Sequence, residues 1–124
     1  MDIATSRDGA VATVAVSGII DTRAASDFEA ALTAVRAEGA KHLIIDLQQV
    51  ELLTSAGIRV LVAATRRATG TGGSVVLCCL NAGVRRVFDI SGLTNQFKIA
   101  ATREEAQSAI SSGDHVPDWL VSAK

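Results

Sequence analysis

Aromatic side chains are scarce in this 124-residue chain: three Phe, one Trp and no Tyr, or 3% of the total. Hydrophobic residues nevertheless reach 48%, so the core has to be assembled from Ala, Val, Leu and Ile, which suits helices packed closely on a sheet. An excess of charge of either sign is missing too. Twelve Lys+Arg face thirteen Asp+Glu, a formal net charge of -1. That leaves no basic stripe to track nucleic acid and no aromatic set on which bases could stack. No apolar run approaches the ~18 residues of a membrane span, and "MDIATSRDGA" lacks the charged-then-apolar pattern of a secretion signal. The expectation is a cytoplasmic protein of one domain, since domains commonly run to about 100–150 residues.

Cysteine and histidine are equally sparse. Cys78 and Cys79 are adjacent. Successive residues on a strand point to opposite faces, and a mutual disulfide would strain the backbone, so both are expected as buried, structural thiols. His42 and His115 stand apart from them, with no zinc-ligand spacing and no Cys–His pairing. No metal and no cofactor are expected.

What is present is a regular succession of patterns. "DIATS" and "VATVAVSG" alternate around Asp8-Gly9, a step suited to a tight turn, and read as an N-terminal hairpin. From Thr22 to Glu38, the residues Phe28, Ala31, Leu32 and Val35 recur at helical spacing, with Gly39 as a stop. "HLIIDL" is a continuous apolar run, as in a strand buried on both faces. A second helix follows, with Ile58, Leu61 and Val62 on one face, ending before Gly70. Then come the loop "TGTGG", a buried strand "SVVLCCL", and a third helix capped by Asn81 with Val84, Val87 and Phe88 inward and Gly92 beyond it. "FKIA" is a short last strand. Thr102-Arg103-Glu104-Glu105 spells a capping box for a final helix to about Ser112. In "GDHVPDWLVSAK", Trp119, Leu120 and Val121 are expected to fold back on the domain. Strands joined through helices cross over, so the sheet is mixed and its later strands are parallel.

Three places invite a functional reading. "TGTGGS" has the glycines of a phosphate loop, but a helix precedes it and a strand follows, the reverse of the phosphate-binding order. Asp21 and Asp46 close "GIID" and "LIID", and Asp46 is placed at the carboxyl end of a parallel strand, the edge where α/β sheets bind ligands. A carboxylate pair doing acid–base work is one reading and helix or turn capping is the other. The third is "LLTSAGIRVL". Ser55 is either a helix N-cap or a hydroxyl presented to a partner. Ala56 and Gly57 leave the first turn bare, and Gly57 inside a helix costs about 1 kcal/mol against Ala, so something other than helix stability selects it.

The hairpin, the helix, the "LIIDL" strand, "TSAGIRVL" and "VRRVFDISGL" together resemble the STAS domain of bacterial anti-sigma factor antagonists. The resemblance runs from about residue 3 to 112, with 113–124 as a tail to a single domain spanning 1–124. It implies an α/β fold, a mixed sheet with an N-terminal hairpin and helix–strand units, of about five strands and four helices. It also implies a binding module and not an enzyme, switched by phosphorylation. Ser55 falls on the phosphoacceptor position, with Thr54 as the alternative. The unmodified protein would bind an anti-sigma factor that is itself a serine kinase, and so free a sigma factor. A PP2C-type phosphatase would restore it. Gly57 and Ile58 match the family's glycine and following aliphatic, Asp21 the aspartate before the first helix, and Asp46 the one closing the central strand. The implied partner surface is Asp21, Thr54, Ser55, Ala56, Gly57, Ile58 and Arg59. Many members read Asp-Ser-Ser/Thr-Gly, whereas this chain has Thr54 for the Asp and Ala56 for the second hydroxyl. STAS domains also serve as accessory subunits of transport complexes, including lipid-exporting ABC systems, and in stress-signalling assemblies. In those, Ser55 would be a contact residue only. Neither nucleic-acid binding nor membrane insertion is implied.

Overall fold

The computed structural model describes residues 1–113. Period-two alternation builds the first two strands, β1 (Asp2–Asp8) and β2 (Val11–Ile20), paired antiparallel around Gly9, whose φ of 62° makes the turn. The chain continues through α1 (Thr22–Ala37), β3 (His42–Leu53), α2 (Ser55–Gly70), β4 (Ser74–Cys78), α3 (Ala82–Ile90), a 3-10 turn (Leu93–Gln96), β5 (Lys98–Ala100) and α4 (Arg103–Gly113). The strands lie in the order β1-β2-β3-β4-β5, and every pair after the hairpin is parallel. The expected tail, with His115 and Trp119 to Val121, lies outside the described residues.

The sheet is covered on both faces in its centre. Alternate residues of β3 and β4 (Leu43, Ile45, Leu47 and Leu77) join Phe28 and Leu32 of α1, Leu61 of α2 and Phe88 of α3 in the main core. The intervening residues (Ile44, Val76 and Cys78) meet Ala106 and Ile110 of α4 on the other face. A strand buried on both sides has to be apolar throughout, which is why "HLIID" and "SVVLC" read as runs and not as alternations. The capping residues act as expected. The Asp21 carboxylate accepts from the Ala24 amide at 2.9 Å, Asn81 Oδ1 from Val84 at 3.0 Å, and Thr102 Oγ1 from Glu105 at 3.1 Å. Asn81 also donates to the carbonyls of Gln48 and Val50, tying the start of α3 to β3.

Four details differ from the sequence reading. First, β3 does not stop at Leu47. It runs to Leu53 alongside β2, with register shifts between Ala15 and Ser17 and between Gly18 and Ile19, and Gly18 takes a φ of 89° there. These irregularities break the alternation, since Val50 and Leu53 are buried while Gln48, Gln49, Glu51 and Leu52 are exposed. Second, α2 extends through Gly70 and buries Gly57, Val60, Leu61, Ala64 and Ala68, so Ile58 and Val62 flank its inner face instead of lying on it. Third, Val87 of α3 is only half-buried. Fourth, β4 ends at Cys78, and Cys79 turns away from strand geometry with a φ of 62°. The "TGTGGS" segment is the end of α2, a turn and the start of β4. A Cβ on Gly73 would collide with the Lys41 carbonyl, which gives that glycine a packing reason to be there.

Candidate functional site

Register pairs Ile20 at the end of β2 with Leu53 at the end of β3. The residues that follow, Asp21 and Thr54, are therefore neighbours, and each is the N-cap of the helix beyond it. The two caps behave differently. Asp21 closes the first turn of α1 through its side chain. Thr54 does not cap α2 with its side chain. Its Oγ1 instead donates to the Ile20 carbonyl at 2.7 Å, and its amide donates to the same oxygen at 3.2 Å. The first backbone bond of α2, Ile58 amide to Thr54 carbonyl at 3.1 Å, leaves the amides of Ser55, Ala56 and Gly57 ahead of the helical ladder. Ser55 is thus the first helical residue and not the cap, and it is exposed.

Gly57 has a different purpose from the one its sequence suggested. It is buried, and a Cβ there would lie 2.6 Å from Leu53 Cδ1 and 2.9 Å from Ile20 Cγ2. The glycine lets α2 start tight against the ends of β2 and β3, which fixes where Ser55 projects. Ala56 and Ile58 are half-buried against the main core. Arg59 is exposed and, with Thr22, Ser26, Glu29 and Ala63, lines a groove of about 320 Å³ between α1 and α2. Sequence reasoning missed two further residues at this edge. Ile19 and Leu52 are register partners on β2 and β3, 48% and 51% exposed. Two large aliphatics side by side in solvent, next to Thr54, form an apolar step that intramolecular packing does not explain. The irregular register hid them, because period-two alternation cannot be followed through a bulge.

Asp46 is not part of this edge. It sits in the middle of β3, on the α4 face of the sheet, level with Ala15 of β2 and Cys78 of β4. Its Oδ1 accepts from the Gln48 amide at 2.9 Å, and its Oδ2 pairs with Arg103 Nε at 2.7 Å. That hydrogen bond holds the guanidinium above its ordinary range. Asp21 and Asp46 thus belong to different structural roles, a helix cap and an ion pair, and form no carboxylate dyad.

The thiols also depart from the expected arrangement. Cys78 is fully buried, but Cys79 is half-buried, and its left-handed backbone swings its Sγ to 3.3 Å from the Cys78 Sγ. Burial pushes the Cys78 thiol far up, with the Cys79 thiol and the Asp46 charge adding to the effect and Arg103 opposing it. Among the described residues, no helix is long and apolar enough to cross a membrane.

Residues 2–106 match the family model of the STAS domain. The chain is 34% identical over 94 residues to BtrV of Bordetella bronchiseptica, which carries the name of an anti-sigma factor antagonist; the match covers 76% of this chain and 81% of that one. It is 31% identical over 103 residues to the anti-sigma-F factor antagonist RsfB of Mycobacterium tuberculosis, covering 83% and 84%. Its structure resembles that of an anti-sigma factor antagonist from Mycobacterium paratuberculosis, with a TM-score of 0.79 and 30% identity over 89% of this chain and 93% of the other.

Proposed function

The chain belongs to the STAS domain family, and we propose that it is a single-domain anti-sigma factor antagonist working in the cytoplasm, switched by phosphorylation of Ser55. The unmodified protein binds an anti-sigma factor that is a serine kinase, and that binding releases a sigma factor. The kinase transfers the terminal phosphoryl group of ATP to Ser55 Oγ, and a PP2C-type phosphatase hydrolyses it off again. The observation that carries this reading is the unclosed first turn of α2, with an exposed Ser55 at its head. A phosphate there meets backbone amides that no side chain has taken, and the positive end of the helix dipole. Thr54 matters to this arrangement. An aspartate at the same place would bring its own negative charge to those amides, whereas Thr54 turns its hydroxyl to Ile20 and leaves them open. The engaged, half-buried Thr54 hydroxyl is also the poorer phosphoacceptor.

The partner surface follows from the same edge. Asp21, Thr54, Ser55 and Ala56 supply its polar and close-packed centre, Ile58 and Arg59 its continuation along α2, and Ile19 with Leu52 an apolar anchor. Adding roughly -1.5 to -2 units of charge in the middle of such a contact weakens it by desolvation and repulsion while leaving the fold in place. Incubation with the cognate kinase and ATP, followed by peptide mass spectrometry, tests the assignment. One phosphate on Ser55 is expected. A phosphate on Thr54 alone would move the switch by one residue, and failure of the kinase to bind or modify the protein would remove the reading.

A further inference from the structure

The face of the sheet turned away from α1 and α2 carries a second cluster that the switch does not use. Asp46 and Cys78 are register partners on adjacent parallel strands, so their side chains emerge on the same face. Strand geometry would send the next side chain to the opposite face. Instead, Cys79 is the only non-glycine among the described residues with a positive φ, 62°, and this turn returns its Sγ to 3.3 Å from that of Cys78. One ligand atom each from Asp46, Cys78 and Cys79 lies within 4.8 Å of the other two. We propose that Asp46, Cys78 and Cys79 form a three-ligand site for a thiophilic divalent cation, zinc foremost, with a fourth position open to water.

The geometry separates this from a redox pair. Two thiolates on a tetrahedral zinc stand about 3.8 Å apart, so the observed pair has to open by only about 0.5 Å. A disulfide needs about 2.05 Å, a closure of more than about 1 Å within a dipeptide that resists it. The carboxylate is already oriented. Gln48 donates its amide to Oδ1 and Arg103 donates to Oδ2, and each oxygen keeps a lone pair for a metal, the arrangement of outer partners that metal-binding carboxylates have. Both thiols lose a proton on coordination. Two thiolates, one carboxylate, a divalent cation and the Arg103 guanidinium then balance in charge. A groove of about 350 Å³, lined by Asp2, Ser17, Gln48 and Gln49 with Asp46 and Arg103, brings solvent to the carboxylate side of the cluster, while Cys79 is half-buried and Cys78 is closed off.

The test is a titration of the chelator-stripped, fully reduced chain with Co2+, then Zn2+. One equivalent of cobalt is expected to raise a thiolate-to-cobalt charge-transfer absorption that zinc abolishes, and zinc is expected to raise the unfolding temperature. Cys79→Ser loses both responses. Asp46→Asn weakens cobalt binding at least about tenfold. If Cys79→Ser does not fold, Cys79→Gly, which accepts the same backbone conformation, takes its place. No absorption at millimolar cobalt would overturn the proposal, as would a signal unchanged in the Cys79 variant. So would quantitative loss of both thiols to a disulfide under mild peroxide without any metal uptake.

Discussion

Thr54 Oγ1 donates to the Ile20 carbonyl at 2.7 Å, joining the start of α2 to the end of β2 across 34 positions of sequence. A threonine at an N-cap ordinarily spends its hydroxyl on its own helix. Here it holds the helix to the sheet and leaves the helix start uncapped. On the proposed switch, stability and function are divided between two adjacent hydroxyls, Thr54 for position and Ser55 for modification.

Thr54→Val tests the first half. Valine keeps the β-branched shape and removes the donor, while the Ile20 oxygen retains its bond from the Thr54 amide. The expected cost is about 1 kcal/mol, that of one ordinary hydrogen bond. Urea denaturation reads it directly. A variant as stable as the parent would show that the hydroxyl bond contributes nothing to anchoring α2.

Ser55→Ala and Ser55→Asp test the second half. Ser55 is exposed, so neither change should alter folding by more than about 0.5 kcal/mol. Partner binding should diverge sharply. The alanine variant stays bound under kinase and ATP. The aspartate variant, and more strongly the phosphorylated parent, loses two or more decades of affinity, since each ~1.4 kcal/mol is tenfold and burying an unpaired charge costs several kcal/mol. Isothermal titration with the purified kinase measures this, and equal affinity for the two variants would sink the charge switch.

Gly57→Ala sets two effects against each other. Alanine is the better helix former by about 1 kcal/mol. Its Cβ, however, would sit 2.6 Å from Leu53 Cδ1 and 2.9 Å from Ile20 Cγ2. Leu53 can rotate away, but Ile20 is fully buried and β-branched, so its atoms have nowhere to move. Overpacking of that kind costs about 1–3 kcal/mol and should outweigh the propensity gain. We expect a lower urea midpoint, together with weaker partner binding as α2 shifts outward. A rise in stability would mean that the glycine is kept for access to Ser55 and not for packing.

The comparison of Gly57 with Asn81 shows which parts of this molecule its sequence discloses. Asn81, Asp21 and Thr102 cap helices by a local rule, three residues from donor to acceptor, and local rules can be read along a chain. The apolar runs of β3 and β4 likewise announce a sheet buried on both faces. Gly57 is constrained by Ile20, 37 positions away, and only the fold brings them together. The same holds for Ile19 and Leu52, whose exposure depends on a register shift, and for the Thr54 hydroxyl. Asp46 looked like half of a carboxylate pair because two similar words, "GIID" and "LIID", end alike. The continuation of β3 past Leu47 puts the two aspartates in unrelated places. Cys79 is the sharpest case, since one left-handed residue reverses the direction that alternation assigns to its side chain.

That reversal has a chemical consequence at the thiols. Cys78 is fully buried at the end of β4, and burial together with the adjacent Cys79 thiol and the Asp46 charge holds it in the neutral form, with Arg103 acting the other way. Cys79 is half-buried. A thiol reagent at neutral pH should therefore label Cys79 first and reach Cys78 only on unfolding. The difference should persist at about pH 9, where an ordinary thiol, with a pKa of about 8.5, is mostly thiolate. The same shift gives stability a pH dependence of definite sign. Below the ordinary thiol pKa both the folded and unfolded chains hold the Cys78 proton, and the group is neutral in the balance. Above it the unfolded chain releases that proton while the folded chain retains it, so stability falls as pH rises, with a limiting slope of about 1.4 kcal/mol per unit from this one group. The chain has no tyrosine to titrate above that range and confuse the reading. Urea denaturation of the metal-free protein between about pH 8 and 10, beside Cys78→Ala, isolates the effect. The parent should lose stability across this interval more steeply than the variant. Parallel curves, or labelling of Cys78 as fast as Cys79 in the folded protein, would show that the thiol at the end of β4 is open to solvent.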